Sequence, residues 1–515
     1  MSEATAAEAG RREAEGDGDT LVRGAALTFA AKIAGGVFTL VLTIFLTRRL
    51  GPAGYGVFAL AFSVISLAEL PSDFGVAVAL PRFLVEHRLD RRLLGELVAD
   101  GIRLELLGTL LVAGTLAALA GVIASAYGTP ALALPLRALA ISIVGQNFLF
   151  LFSGVFQAMR RQAFTLWAST LESVAELSAS VAIVLIAGGA SAAAFGRAAG
   201  YAVGSLGALV LTVRLLGPEI LPRRVSSQGH ARQIAGYAKT LWVIDGVFTA
   251  FGQVDVLLIG AFLSATSVSF FSAPMRLITA LQYPGYAIAA AVSPRLLKSD
   301  QSTPDLGAFE GAVRFLTILM MAATVVTTVW ATPVIRYSLG PGYGKAGEVL
   351  RALGPLVFLS GGAALVSTAL NYLGGAGRRL LVAIATLLAN LVLDLILIPR
   401  IGVIGGAIGS DVGLAIYVLA QFRVCLSLLG LDAMPYVTML LRCVIAAVPM
   451  AIVLAVCGTG PLPVPIAIAG GAAGLVAYGL ALVLVGEVSR QEAQLMLRFV
   501  WRKLDSRLHR SRPES

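Results

Sequence analysis

The chain has 515 residues, 57% of them hydrophobic and only 13% charged, with a formal net charge of +10. A soluble protein of this length would form three or four domains with about a quarter of its residues charged. A mean hydropathy of +0.86 excludes that class.

Met1 to Thr20 is polar and mixed in charge. It lacks the short apolar core and cleavage site of a secretory signal, so residues 1–23 read as a disordered tail. Long apolar runs follow. About 20 apolar residues in a helix cross a hydrocarbon core roughly 30 Å thick, where no water satisfies a free backbone group. Charge gaps place fourteen such spans, at 24–46, 56–75, 104–126, 131–157, 164–188, 192–213, 234–262, 268–293, 308–332, 346–371, 380–398, 403–424, 436–457 and 463–485. The expected fold is therefore an all-α integral membrane protein with about 14 transmembrane helices. A strand barrel would show alternating segments of about ten residues instead. The 56 glycines suit helices that approach closely through small residues. Cys425, Cys443 and Cys457 fit no metal-ligand spacing and read as small buried apolar residues.

A repeat runs through the spans. Gly36-Val37-Phe38-Thr39 recurs as Gly246-Val247-Phe248-Thr249, an offset of 210, and Gly196, Ala198, Gly200, Val203 and Gly204 recur as Gly405, Ala407, Gly409, Val412 and Gly413, an offset of 209. The expected organisation is two parallel, pseudo-symmetric six-helix halves, 24–215 and 234–428, joined by a Pro- and Ser-rich cytoplasmic linker at 216–233. An extra helix pair at 436–485 and a basic tail at 486–515, amphipathic enough to lie on anionic lipid, complete the chain. Such halves enclose a cleft that opens to alternate sides.

The basic balance reports orientation rather than nucleic-acid binding. With the N-terminus in the cytoplasm, 25 Lys and Arg fall on inner loops and tails, against Arg48, Arg49, Arg336, Lys345 and Arg400 outside. Translocation keeps Lys and Arg on the cytoplasmic side, so both termini are expected there.

The charges left within spans carry the functional signal, because each costs about 2.5–3.5 kcal/mol at a helix centre and must face a cavity or a partner. Arg103, Arg314, Arg351, Arg442 and Asp394 lie near span ends, where snorkelling to the interface is expected. Lys32, Arg137, Arg197, Lys239, Asp245, Asp255 and Arg276 are the expected substrate-binding charges of a central cleft; Arg and Lys make strong charge-assisted bonds to phosphate. Glu172 and Glu176, four apart on one helix face, are the candidate proton or cation coupling site together with Asp411. Pairing of the two glutamates with Arg137 or Arg197 is the structural alternative. Gln253, Gln282, Tyr283 and Tyr286 are open to sugar contact or plain packing. No Gly-rich nucleotide loop is present and no cofactor or metal is expected.

Arg49-Leu50-Gly51-Pro52-Ala53-Gly54-Tyr55-Gly56-Val57-Phe58, Asp73-Phe74-Gly75 with Arg82, Gln253-Val254-Asp255-Val256-Leu257-Leu258, and Phe271-Ser272-Ala273 with Arg276-Leu277 resemble the bacterial polysaccharide transporters. These are the O-antigen flippase branch of the multidrug, oligosaccharidyl-lipid and polysaccharide (MOP) exporter superfamily. The resemblance covers the first twelve spans. Ser269 and Phe271 depart from the Gly and Tyr the family often carries, and the Ser-Arg-Val-Leu-Gly first span of lipid II flippases is absent. The resemblance implies a flippase, not an enzyme, that carries undecaprenyl-diphosphate-linked glycan across the bacterial cytoplasmic membrane. Its implied partners are that glycan, membrane lipid, and polysaccharide polymerase and chain-length machinery, with no nucleic acid. A drug or small-molecule exporter on the same scaffold is the first alternative. A membrane glycosyltransferase or polymer ligase is the second; it lacks the large outer loop or domain such chemistry needs.

Overall fold

The computed structural model describes residues 3–73, 75–87, 90–220, 246–247, 249–296 and 304–492. It is an all-α membrane protein, with no strand among the described residues. The long helix α1, Glu3–Ala68, turns sharply at Gly51 (φ 65°, ψ 179°), a conformation open to glycine, and Pro52 starts the next helical stretch. It begins inside the stretch read as a tail, where Ala, Glu and Arg favour helix. After it come α2 (Leu70–Asp73) and α3 (Val76–Glu86), separated by Gly75 at φ 75°. Asp73 Oδ1 accepts from the Ala77 amide at 2.9 Å, capping α3.

Then follow α4 (Arg91–Ala126), capped by Asp90, α5 (Ala133–Ala158), α6 (Gln162–Ala187) and α7 (Gly189–Leu216). Next come α8 (Thr249–Phe262), α9 (Ala265–Leu281), capped by Ser264, and α10 (Tyr283–Val292). The remaining helices are α11 (Leu306–Val329), α12 (Ala331–Ser338), α13 (Gly344–Ala352), α14 (Gly354–Tyr372), α15 (Ala376–Ile401), α16 (Val403–Leu429), α17 (Met434–Val456) and α18 (Val464–Leu484).

Eleven helices among the described residues are long and apolar enough to cross a membrane, against fourteen expected spans. The difference has local causes. The stretch Ile33–Glu86 covers two expected spans, because their connection is one tight turn. The eighth expected span is interrupted at Gln282, leaving α9 and α10 each short. Of the seventh only the second half, and of the linker only its start, lies within the described residues. The basic tail lies outside them beyond Glu492.

The helices form two compact units. One comprises Met1–Tyr283, Ser338–Val349 and Gly377–Ile416. Its core includes Leu80, Leu84, Leu97, Phe152 and Phe156, all fully or almost fully buried. The other comprises Pro284–Tyr337, Leu350–Ala376 and Tyr417–Ser515. There Trp330 Nε1 donates to the Leu454 carbonyl at 2.8 Å, tying the end of α11 to α17. Arg314 of α11 is clamped by Glu487 and Glu492, each at 3.1 Å, just beyond α18.

Three of the residues expected to snorkel have polar partners, but only Arg351 lies in the end turn of a helix; Arg103 and Arg442 lie about three and two turns inside α4 and α17. Arg103 pairs with Asp100 at 3.0 Å, Arg351 donates to the Thr328 carbonyl at 3.2 Å, and Arg442 lies 3.8 Å from Glu487. Asp394 does not snorkel. It is 0% exposed, because Gly409 lets α16 close over it on α15.

Candidate functional site

The repeat glycines build the site. On α7, Gly196, Gly200 and Gly204 lie against Ser180, Glu176 and Glu172 of α6, so closely that a Cβ on any of them would strike the facing residue. On α16, Gly405 and Gly409 lie in the same way against Leu397 and Asp394 of α15, and Gly413 lies less closely between Phe251 of α8 and Asn390 of α15. The corresponding glycines therefore put Glu176 opposite one helix and Asp394 opposite the other, with Glu172 and Asn390 one turn away.

Beside the first pair is a cavity of about 480 Å³, lined by residues of α1, α6, α7, α8 and α9. Its polar lining includes Thr39, Thr43, Glu172, Glu176, Arg197, Tyr201, Gln253 and Arg276. Arg197 Nη1 donates to Glu176 Oε1 at 2.9 Å, and Nη2 donates to the Tyr201 hydroxyl at 3.0 Å. Its Nη2 also points at Gln146 Oε1, 3.5 Å away, and Gln146 Nε2 donates to Glu69 at 2.8 Å. Ser173 donates to Glu172 at 3.0 Å. Arg276 faces the Tyr55 hydroxyl, which also meets Thr43.

The ring of Phe62 joins the two cations. The guanidinium carbons of Arg197 and Arg276 each lie 4.7 Å from its centroid, within cation–π reach. The cavity thus holds two guanidinium groups, two carboxyl groups and several hydroxyls in a wall that is otherwise apolar. This combination offers opposite charges and hydrogen bonds to a polar solute, and the paired charges offset part of the cost of their own burial.

The second pair carries a smaller acidic cluster outside the cavity lining. Asn390 Nδ2 donates to Asp255 Oδ1 at 2.9 Å and reaches Asp394 Oδ2 at 3.4 Å; Ser410 donates to the other Asp255 oxygen. Asp255 and Asp394 are 4% and 0% exposed.

Of the expected substrate-binding residues, Arg197 and Arg276 line the cavity. Asp255 belongs to the acidic cluster, and Arg137 is exposed near the start of α5, outside the cavity lining. Lys239 and Asp245 lie outside the described residues, as does the side chain of Lys32. Glu172 and Glu176 share the cavity wall, whereas Asp411 is buried on α16 and does not line it. Phe62, Glu69, Gln146, Tyr201, Asn390 and Ser410 escape sequence reasoning. The polar residues among them, placed within apolar helices, were the available signal.

A family model described as polysaccharide biosynthesis protein matches residues 21–300, more than half of the chain. The chain belongs to this polysaccharide biosynthesis family. The expectation drawn from the motifs in its first two and its seventh and eighth spans is borne out.

Among curated relatives, the family member is 24% identical over 405 residues to the probable low-salt glycan biosynthesis flippase Agl15 of Haloferax volcanii; the match covers 77% of this chain and 81% of the relative. Among solved structures, it matches the lipid II flippase MurJ in an inward closed conformation with a TM-score of 0.71 at 15% identity, over 89% of this chain and 98% of MurJ. An inward-facing multidrug resistance MATE family transporter of the MOP superfamily matches with a TM-score of 0.63 at 15% identity, over 78% of this chain and 96% of the transporter. The fold is the one these transporters share.

Proposed function

We propose that the protein is a lipid-linked glycan flippase that moves an undecaprenyl-diphosphate-linked oligosaccharide across the bacterial cytoplasmic membrane by alternating access. It acts as a secondary-type transporter, not an enzyme, with both termini in the cytoplasm. The observation that carries this reading is the pair of guanidinium groups, Arg197 and Arg276, held on one ring in the wall of a polar cavity. Leaflet transfer has to take an anionic, sugar-bearing headgroup through a region that rejects charge, while the polyprenyl chain stays in lipid. Guanidinium groups meet the phosphates, and the hydroxyl-rich lining meets the sugars. Family membership and the relative named as a glycan biosynthesis flippase support the same reading. Two six-helix halves moving against each other would supply the alternation. Glu172 and Glu176 are the coupling groups in this scheme.

The test is leaflet transfer of a fluorescent undecaprenyl-diphosphate oligosaccharide in vesicles containing the purified protein. Arg276→Ala is expected to lower the rate about 10- to 100-fold, the loss of one charge-assisted phosphate contact. An unchanged rate would remove this site assignment.

The carboxyl groups in the same wall favour a second reading, export of a small cationic solute. In that case vesicles would accumulate a cationic dye, Glu172→Gln would abolish accumulation, and the glycolipid would not move.

A further inference from the structure

Outside the cavity, α6 and α7 carry a second concavity. From Gly196 to Gly204 the backbones of the two helices touch, but at Gly207 the neighbours are the side chains of Leu171 and Trp167. These side chains hold the helices apart. The groove that opens is about 740 Å³, apolar along its length through Trp167, Leu171, Leu206 and Val210, with Arg214 at its end. Trp167, Leu206 and Val210 are 51%, 61% and 50% exposed, and on a membrane span that exposure faces lipid.

Three features say what fills it. First, its length from Val203 to Arg214 is about 16 Å at 1.5 Å per residue, close to half of a hydrocarbon core about 30 Å thick, so the groove has the depth of one leaflet. Second, α6 and α7 run antiparallel through the Gly188–Gly189 turn, so Arg161 before α6 and Arg214 in the last turn of α7 share one membrane face, both exposed. Third, Trp167 stands part-way along the groove at the level of Gly207, so a chain lying in the groove toward Arg214 passes the indole.

We propose that the groove between α6 and α7 binds one acyl chain of an anionic phospholipid, with the lipid phosphate held by Arg214 and Arg161. Guanidinium groups set at the headgroup level beside an apolar channel select a negatively charged lipid over a zwitterionic one. A bound lipid here would lie against the outer face of the helices whose inner faces carry Glu172, Glu176 and Arg197.

Trp167 reports on its own groove. The full-length protein is placed in phosphatidylcholine vesicles containing increasing mole fractions of phosphatidylglycerol or phosphatidylcholine brominated mid-chain. The quenching lost in Trp167→Phe isolates the Trp167 signal. Half-quenching is expected at about fivefold lower mole fraction for the brominated phosphatidylglycerol, the equivalent of roughly 1 kcal/mol from the two arginines together. Arg161→Gln with Arg214→Gln, which leaves the apolar packing intact, is expected to abolish that preference. Gly207→Leu, which fills the groove, is expected to weaken quenching by both lipids. Equal quenching by the two lipids would overturn the proposal. So would a preference that survives loss of both arginines, or a Trp167 shielded from both lipids in a dimeric protein.

Discussion

Arg197 of α7 and Glu176 of α6 meet at 2.9 Å with side chains only 16% and 11% exposed, forming a buried ion pair in the wall of the cavity. Breaking such a pair strands the remaining charge, which costs about 3–5 kcal/mol, whereas removing both partners costs far less. Arg197→Ala is therefore expected to lower the thermal unfolding midpoint of the detergent-solubilised protein. Arg197→Ala with Glu176→Ala is expected to restore most of it. Transport should stay lost in both, which separates the structural from the functional role of the arginine.

Gly200 lies against the backbone and Cβ of Glu176, and an added methyl has no free volume to enter. Gly200→Ala is expected to destabilise by about 1–3 kcal/mol through forced separation of α6 and α7. Gly362, which has open space around it, serves as the control: Gly362→Ala should leave the unfolding midpoint unchanged or slightly raised.

Trp330 donates its indole N–H to the Leu454 carbonyl at 2.8 Å. Trp330→Phe keeps most of the ring's bulk but leaves that carbonyl without its donor, at an expected cost of about 1–3 kcal/mol. Chemical unfolding followed by circular dichroism measures it.

Beyond α18, the Arg314 guanidinium hydrogen-bonded to Glu492, with help from Ser489, holds the Glu492 carboxyl down at about 2, against its ordinary value of 4.5. The ionised form is favoured in the folded state, so its contribution is full above about pH 4.5 and is lost as pH falls toward 2. The stability difference between the native protein and Glu492→Gln should be constant from neutral pH to pH 4.5, then shrink below it. Solvent exposure of this carboxyl keeps the difference small. A difference that grows on acidification would contradict the assignment.

Much of the helical fold was legible, because apolar run length is what the bilayer selects. The repeat glycines were legible too, and their purpose follows from packing: the same spacing brings α7 onto α6 and α16 onto α15. Glu172, Glu176 and their alternative partner Arg197 could be named from helical spacing. Facing was not legible. Hydropathy assigns Arg137 and Arg197 the same cost, yet one is exposed near a helix end and the other lies in the cavity wall. Asp394 looked interfacial because it lies near the end of its apolar run, while the approach of Gly409 on α16, which buries it, leaves no mark in that run. Phe62 is one of 23 phenylalanines, and nothing in its sequence neighbourhood marks it as a support for two cations.

That support has a mechanical consequence. Arg197 and Arg276 come from helices far apart in sequence, yet both rest on a single side chain carried by α1. A tilt of α1 at Phe62 would move a surface that both charges share, while Glu176 keeps its hold on Arg197. The spacing of the two charges would then follow where α1 stands.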